Sequence, residues 1–70
     1  MFDEAIEDFT LAANLETDEM RKSMILYQRG YAKRLSGDFK GAWRDATRAL
    51  ELDRRNNKAR VLKESVRPLL

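Results

Sequence analysis

Apolar residues recur at intervals of three and four positions along most of the chain, which is the spacing of a buried helix face. This pattern predicts helices over about residues 2–14, 18–35, 39–52 and 57–67. No segment alternates apolar and polar residues with a period of two, so no strand is predicted. We therefore expect an all-α fold of about four helices, in which the short turns imply antiparallel neighbours.

Polar and helix-breaking residues between these segments predict where the helices begin and end. Side chains suited to capping a helix N-terminus are found at Thr17 or Asp18, at Asp38, and at Asn56 or Asn57. Gly37 suits a left-handed C-terminal cap, and Pro68 disfavours helical geometry in the residue before it. Gly30 lies within a helix, where glycine costs about 1 kcal/mol relative to alanine, so a close approach by a neighbouring helix is expected.

The third predicted helix repeats the first. Residues 39–53 are an imperfect copy of residues 2–16 at a constant offset of 37 positions. The identical pairs are Phe2/Phe39, Ala5/Ala42, Asp8/Asp45, Thr10/Thr47, Ala12/Ala49 and Leu15/Leu52. Self-similarity at such a spacing indicates a repeat protein, in which each unit buries its apolar face against its neighbours. An α-solenoid of antiparallel helix-turn-helix repeats is therefore expected.

Three features characterise this repeat. They are the glycine Gly30 within the second helix, the turn Gly37-Asp38-Phe39, and the run Ala49-Leu50-Glu51-Leu52-Asp53 at the end of the third helix. Together they resemble the tetratricopeptide repeat (TPR) family, whose helix-turn-helix unit has a period of about 34 residues. Departures from the family are Arg29 and Lys33 in place of apolar or aromatic residues, Ala46 in place of an aromatic residue, and Arg54 in place of proline.

The resemblance implies that residues 1–70 are a single TPR-like domain fragment. Its parts are the second helix of a preceding repeat at 2–16, one complete repeat at 18–53, and a terminal solvating helix at 57–67. On this interpretation the chain begins within a repeat of a longer protein.

Composition excludes most catalytic chemistry. The 70 residues include no cysteine and no histidine, which rules out disulfides, the usual zinc sites, imidazole acid–base catalysis and a cysteine nucleophile. No glycine-rich phosphate loop is present, and the acids of the first helix are typical of a solvated face that complements the helix dipole. We expect no enzymatic activity, no cofactor and no metal. The acidic start and the lack of a long apolar stretch predict a soluble, intracellular protein, and the absence of cysteine fits the reducing cytoplasm.

Charge is divided unevenly along the chain, although the net charge is only +2. Residues 1–19 carry seven acids and no base, whereas residues 20–70 carry all fourteen bases and five acids. The preferred interpretation is that the acidic helix lies beside basic ones with the surface charges solvated. Head-to-tail stacking of like molecules is the alternative.

Clustered bases also suit nucleic acid, which is a less favoured alternative. One cluster is Arg29, Lys33 and Arg34, and a second around the last loop is Arg54, Arg55, Lys58 and Arg60. The aromatic residues available for stacking on bases are Tyr27, Tyr31 and Trp43. Their helical spacing indicates core or groove positions instead, and twelve acids are interspersed.

The TPR resemblance implies a concave groove, lined mainly by the first helix of each repeat, in which family members bind peptides or partner helices. Carried over by position, the groove residues are Met24, Tyr27, Gln28, Tyr31, Arg34, Lys58 and Leu62. Methionine and tyrosine suit such a surface because thioethers adapt and tyrosine is amphipathic. The clamp that some members use for the C-terminal carboxylates of chaperones matches only at Lys58. The sequence therefore predicts a non-catalytic module that binds a peptide or protein.

Self-association is the alternative function. The apolar residues of the first helix are Phe2, Ile6, Phe9 and Ala13, which in an intact repeat would be divided between a preceding and a following helix. A large exposed apolar patch marks an interaction site or an aggregation liability. We expect this helix to pair with a second copy of the chain, as a homodimer or larger homo-oligomer, or with the remainder of a longer protein.

Overall fold

The protein is described by a computed structural model that covers residues 1–70. It contains four helices: α1 (Phe2–Leu15), α2 (Glu19–Ser36), α3 (Phe39–Leu52) and α4 (Asn57–Val66). A short 3₁₀ turn, Arg67–Leu69, follows α4. There is no strand, which confirms the prediction of an all-α fold with four helices. None of the helices combines the length and the hydropathy that a membrane span requires.

The predicted capping residues cap the N-termini of three helices, α2, α3 and α4. Asp18, Asp38 and Asn56 each accept a hydrogen bond from the backbone N–H three residues later, at 2.9, 2.9 and 3.0 Å. At the end of α2, Gly37 has φ 94°, a left-handed conformation that glycine adopts without steric cost. The Asp38 N–H then donates to the Lys33 carbonyl at 2.9 Å. These local bonds explain why the helix ends are so close to their predicted positions.

Helix α2 lies at the centre of the arrangement. It packs against α1 on one side and α3 on the other, and it also contacts α4. Helix α3 packs against both α2 and α4, whereas α1 packs chiefly on α2. The molecule extends over 32 × 28 × 13 Å between Cα atoms, so it is thin, and only 14 of its 70 residues are buried.

The core consists mostly of small side chains in two clusters. The first cluster is Ala13, Leu26, Ala49 and Ala59, and the second is Ala42, Ala46, Leu62 and Val66. Gly30 allows the closest approach: a Cβ there would lie 3.0 Å from the Asp45 Cβ and 3.2 Å from the Ala42 carbonyl oxygen. This confirms that both Gly30 and Ala42 lie at a contact between helices.

A buried polar link connects three of the helices. The Ser23 hydroxyl on α2 donates to the Ala49 carbonyl on α3 at 2.7 Å, and it accepts from the Asn56 side-chain amide at 2.9 Å. Asn56 also caps α4, so one residue determines both where α4 begins and how that end sits against α2. Because every group in the link has a partner, its burial carries no unpaired polar atom.

Candidate functional site

A cleft of about 430 Å³ lies between α2 and α4, and we call it the α2–α4 cleft. Its lining residues are Tyr27, Tyr31 and Arg34 from α2, and Asn57, Lys58, Val61, Leu62 and Ser65 from α4. On each helix these residues recur at intervals of three and four, so they form one continuous helix face. The volume is within the range of sites that hold small ligands or a few peptide side chains.

The apolar part of the cleft is formed by aromatic and aliphatic side chains that remain partly in solvent. The Tyr27 and Tyr31 rings lie 6.3 Å apart, centroid to centroid, and are tilted by 37°. Tyr27 is half-buried and packs on both core clusters, whereas Tyr31 is 44% exposed. Across the cleft, Val61 is 64% exposed. A partner could therefore bury apolar area here without disturbing the core.

The charged part of the cleft is entirely basic. Arg34 and Lys58 both line it, neither forms an ion pair, and no acidic side chain lines it. The Nε atom of Arg34 is buried without a hydrogen-bond partner. Two further polar side chains, Asn57 and Ser65, also line the cleft. The electrostatic complement of this lining is an anionic group.

Five of the seven groove residues predicted from sequence line this cleft: Tyr27, Tyr31, Arg34, Lys58 and Leu62. Leu62 is only 4% exposed, so it serves mainly as a core residue beneath the cleft. Gln28 is exposed but lies outside the lining. Met24, 40% exposed, lines a neighbouring depression of about 380 Å³ that shares Asn57 and Lys58 with the cleft.

Three cleft residues were missed by sequence reasoning: Asn57, Val61 and Ser65. They are spaced four apart along α4, so their common face could have been found from helical periodicity. What the periodicity does not give is which face of α4 lies towards α2.

The basic residues on the inner side of α2 are neutralised within the fold. Asp45 on α3 accepts hydrogen bonds from Arg29 Nε at its Oδ2 (2.8 Å) and from Nη2 at its Oδ1 (2.6 Å). Lys33 Nζ lies 3.2 Å from the same Oδ2 atom. The hydrogen bond with Asp45 raises the pKa of the Arg29 guanidinium above its ordinary value, although burial opposes the rise. Arg29 Nη1 also donates to Thr10 Oγ1 at 3.2 Å, which links α1 to the same group. Arg29 and Lys33 are therefore structural residues.

The aromatic residues offer little surface for stacking on nucleic-acid bases. Trp43 is half-buried and lies under Lys63, whose Nζ is 5.2 Å from the ring centroid. Tyr27 is also half-buried, so Tyr31 alone among the three candidates is exposed. With Arg29 and Lys33 paired to Asp45, this arrangement does not favour the nucleic-acid alternative.

The apolar residues of α1 are placed at different depths. Phe2 is 44% exposed, and Ile6 and Phe9 are half-buried. Ala13 is 2% exposed and packs with Leu26 in the first core cluster. Ala13 therefore belongs to the packing of this chain and does not form part of a self-association face.

Comparison with protein-family models, with curated proteins and with solved structures found no match for this chain. The class that the fold defines is a small all-helical protein with a basic, partly apolar cleft.

Proposed function

We propose that the protein is a non-catalytic protein-interaction module with a TPR-like arrangement of helices, and that its α2–α4 cleft binds an acidic peptide segment of a partner. The observation that carries this proposal is the cleft lining. Exposed apolar side chains lie there beside two cations that form no ion pair, and no carboxylate lines the cleft. A peptide can supply both an apolar side chain and a carboxylate within a few residues.

Each part of the lining has a physical role in such binding. An apolar side chain of the peptide would cover Tyr31 and Val61, which gains about 25 cal/mol for each Å² removed from water. A carboxylate would meet Arg34, whose planar guanidinium suits two parallel hydrogen bonds, and Lys58, which acts as a point charge. Hydrogen bonds to charged groups contribute about 1.5–3 kcal/mol each.

The TPR resemblance supports the same location. In that family, the groove is lined mainly by the first helix of each repeat. The resemblance implies that α2 is the first helix of the complete repeat and that α4 is the terminal solvating helix beside it. The position of the cleft between α2 and α4 supports this part of the proposal.

The proposal is tested by selection from two displayed peptide libraries with equal apolar content, one rich in aspartate and glutamate and the other in lysine and arginine. We expect the protein to select peptides from the acidic library. Titration calorimetry should then show that Tyr31→Ala and Arg34→Ala each weaken binding about tenfold, which corresponds to about 1.4 kcal/mol. The matched control is Arg44→Ala, an exposed arginine on α3 outside the cleft, which should leave the dissociation constant unchanged.

Selection from the basic library, or equal losses for the Arg34 and Arg44 variants, would refute the proposal. A second comparison addresses nucleic acid directly. The pair Tyr27→Ala and Tyr31→Ala should abolish peptide capture, and the pair Arg54→Ala and Arg55→Ala should only weaken it. The reverse ranking, with binding of an oligonucleotide that collapses between low and moderate salt, would assign the protein to nucleic acid because phosphate contacts release counterions.

A further inference from the structure

The outer side of α1 repeats a set of residues that α3 uses for packing. We call Ala5, Asp8, Ala12 and Leu15 the α1 stripe, since they recur at intervals of three and four along one side of the helix. Each is identical to the α3 residue 37 positions later, and these residues are Ala42, Asp45, Ala49 and Leu52. Ala42 and Ala49 are 0% exposed and Asp45 is 4% exposed, whereas Ala5 and Ala12 are half-buried, Asp8 is exposed and Leu15 is 74% exposed.

On α3 this set is covered by α2, and the carboxylate forms the main polar contact. Asp45 lies 2.6 Å from Arg29 Nη2 and 3.2 Å from Lys33 Nζ. The two cations are four positions apart on α2, so they lie on one side of that helix and reach the same carboxylate. This side of α3 therefore binds an arginine and a lysine that lie four positions apart on one helix.

The alanines provide the close backbone approach. Gly30 packs so near the Ala42 carbonyl that a Cβ would lie 3.2 Å from the oxygen. The Ser23 hydroxyl donates to the Ala49 carbonyl at 2.7 Å. The corresponding carbonyl on α1, that of Ala12, accepts the Glu16 N–H at 3.0 Å just as Ala49 accepts the Asp53 N–H at 2.9 Å. The backbone at these two positions is thus equivalent and leaves the same acceptor available.

We propose that the α1 stripe docks a helix of a partner protein that carries an arginine and a lysine four positions apart, with a glycine or other small residue directly after the arginine. The charges support this choice, because α1 carries four acids and no base. In the docked state Asp8 receives both cations, and the small residue approaches Ala5. This surface shares no residue with the α2–α4 cleft, so a failed test of one proposal leaves the other unaffected.

A second copy of this chain does not supply that helix. Its own Arg29 and Lys33 are already bound to its Asp45. A two-fold contact between two α1 helices would instead place Asp8 and Glu4 against further carboxylates, which is repulsive. The chemistry of the stripe thus favours a different, basic partner.

The test attaches a probe helix of known sequence to the full chain. One additional copy of residues 18–38 is joined directly before Phe2, so that its Ser-Gly-Asp turn leads into α1 as the original turn leads into α3. If the stripe docks this helix, the melting temperature should rise by about 5 °C or more. Asp8→Asn should remove most of that rise in the extended protein, while it changes the melting temperature of the original chain by no more than about 2 °C.

A matched variant of the probe helix carries alanine in place of its arginine and lysine. It should lose as much of the rise in melting temperature as Asp8→Asn does. An extension that does not raise the melting temperature, or a rise that is insensitive to both changes, would overturn the proposal. Sedimentation of the original chain tests whether a second copy of the chain occupies the α1 stripe instead. Concentration-dependent self-association that Asp8→Asn abolishes would assign the stripe to a second copy and overturn the choice of a basic partner.

Discussion

Helices α1 and α3 carry identical residues at six equivalent positions, but they lie in different surroundings. Helix α3 packs against both α2 and α4, whereas α1 packs chiefly on α2. As a result, Asp45 is 4% exposed and bound to two cations, while its counterpart Asp8 is exposed and unpaired. The comparison teaches that a helix sequence specifies which face is suited to burial, and that the neighbouring helices decide whether that face is buried.

The energetic consequence of this difference is concentrated at the carboxylates. A buried carboxylate is costly unless it is paired and hydrogen-bonded, and Asp45 meets that condition through Arg29 and Lys33. Asp8 needs no partner because water solvates it. Substitutions at equivalent positions should therefore have unequal effects on the free energy of unfolding.

The largest difference is expected at the carboxylates. Asp45→Ala should lower the free energy of unfolding by about 3 kcal/mol, because it leaves two cations on the inner side of α2 without a counter-charge. Asp8→Ala should change it by no more than about 0.5 kcal/mol. Urea denaturation followed by circular dichroism measures both values. Equal losses would show that the two helices are covered to the same extent in solution.

The next largest effect is expected at the alanines. Ala42→Leu should overpack the contact with Gly30 and cost about 1–3 kcal/mol, since Ala42 is fully buried. Ala5→Leu, at the equivalent half-buried position on α1, should cost much less. Thermal unfolding of the pair provides the measurement. An unchanged melting temperature for Ala42→Leu would argue against the observed packing of α2 on α3.

A smaller effect is expected in the connections between helices. Gly37→Ala should cost about 1 kcal/mol, because its φ of 94° is a left-handed conformation that a Cβ disfavours. The connection from α1 to α2 is extended at Glu16, with φ −79° and ψ 127°. Thr17→Ala in that connection should therefore be nearly neutral. Chemical denaturation measures the loss of unfolding free energy in each variant. A larger loss for Thr17→Ala than for Gly37→Ala would contradict the turn described between α2 and α3.

The smallest effect concerns pH. The raised pKa of Arg29 means that its contribution to stability is fully present below the ordinary pKa of arginine, and is lost only as pH rises above the raised value. The difference in unfolding free energy between the wild type and Arg29→Met should thus stay constant from about pH 7 to about pH 10. A difference that shrinks across this range would mean that Arg29 itself loses its proton there, which contradicts the bond between Arg29 and Asp45.

Much of the fold and part of the cleft could be predicted from sequence. The helix over 39–52 was predicted with the bounds that the structure has, and the caps at Asp18, Asp38 and Asn56 were among the candidates named. These features depend on residues within one or two turns of each other. Tyr27, Tyr31 and Arg34 were predicted as groove residues by their positions in the resemblance to the TPR family, and all three line the cleft.

The bond between Arg29 and Asp45 was not predicted, although both residues were visible in the sequence. They are 16 positions apart, and their contact depends on the register of α2 against α3. The same limit applies to Val61, whose place in the cleft depends on how α4 is rotated against α2.

The sequence by itself determined the helices, their ends and the repeated pattern on α1 and α3, because backbone hydrogen bonds and caps join residues only a few positions apart. The tertiary structure alone decided that Asp45 is buried while Asp8 is exposed, and that Arg29 and Lys33 both bind Asp45. Burial and ion pairing depend on the neighbours that a helix face meets. Two similar faces can therefore end in different states when neighbouring helices bury one of them and leave the other partly exposed.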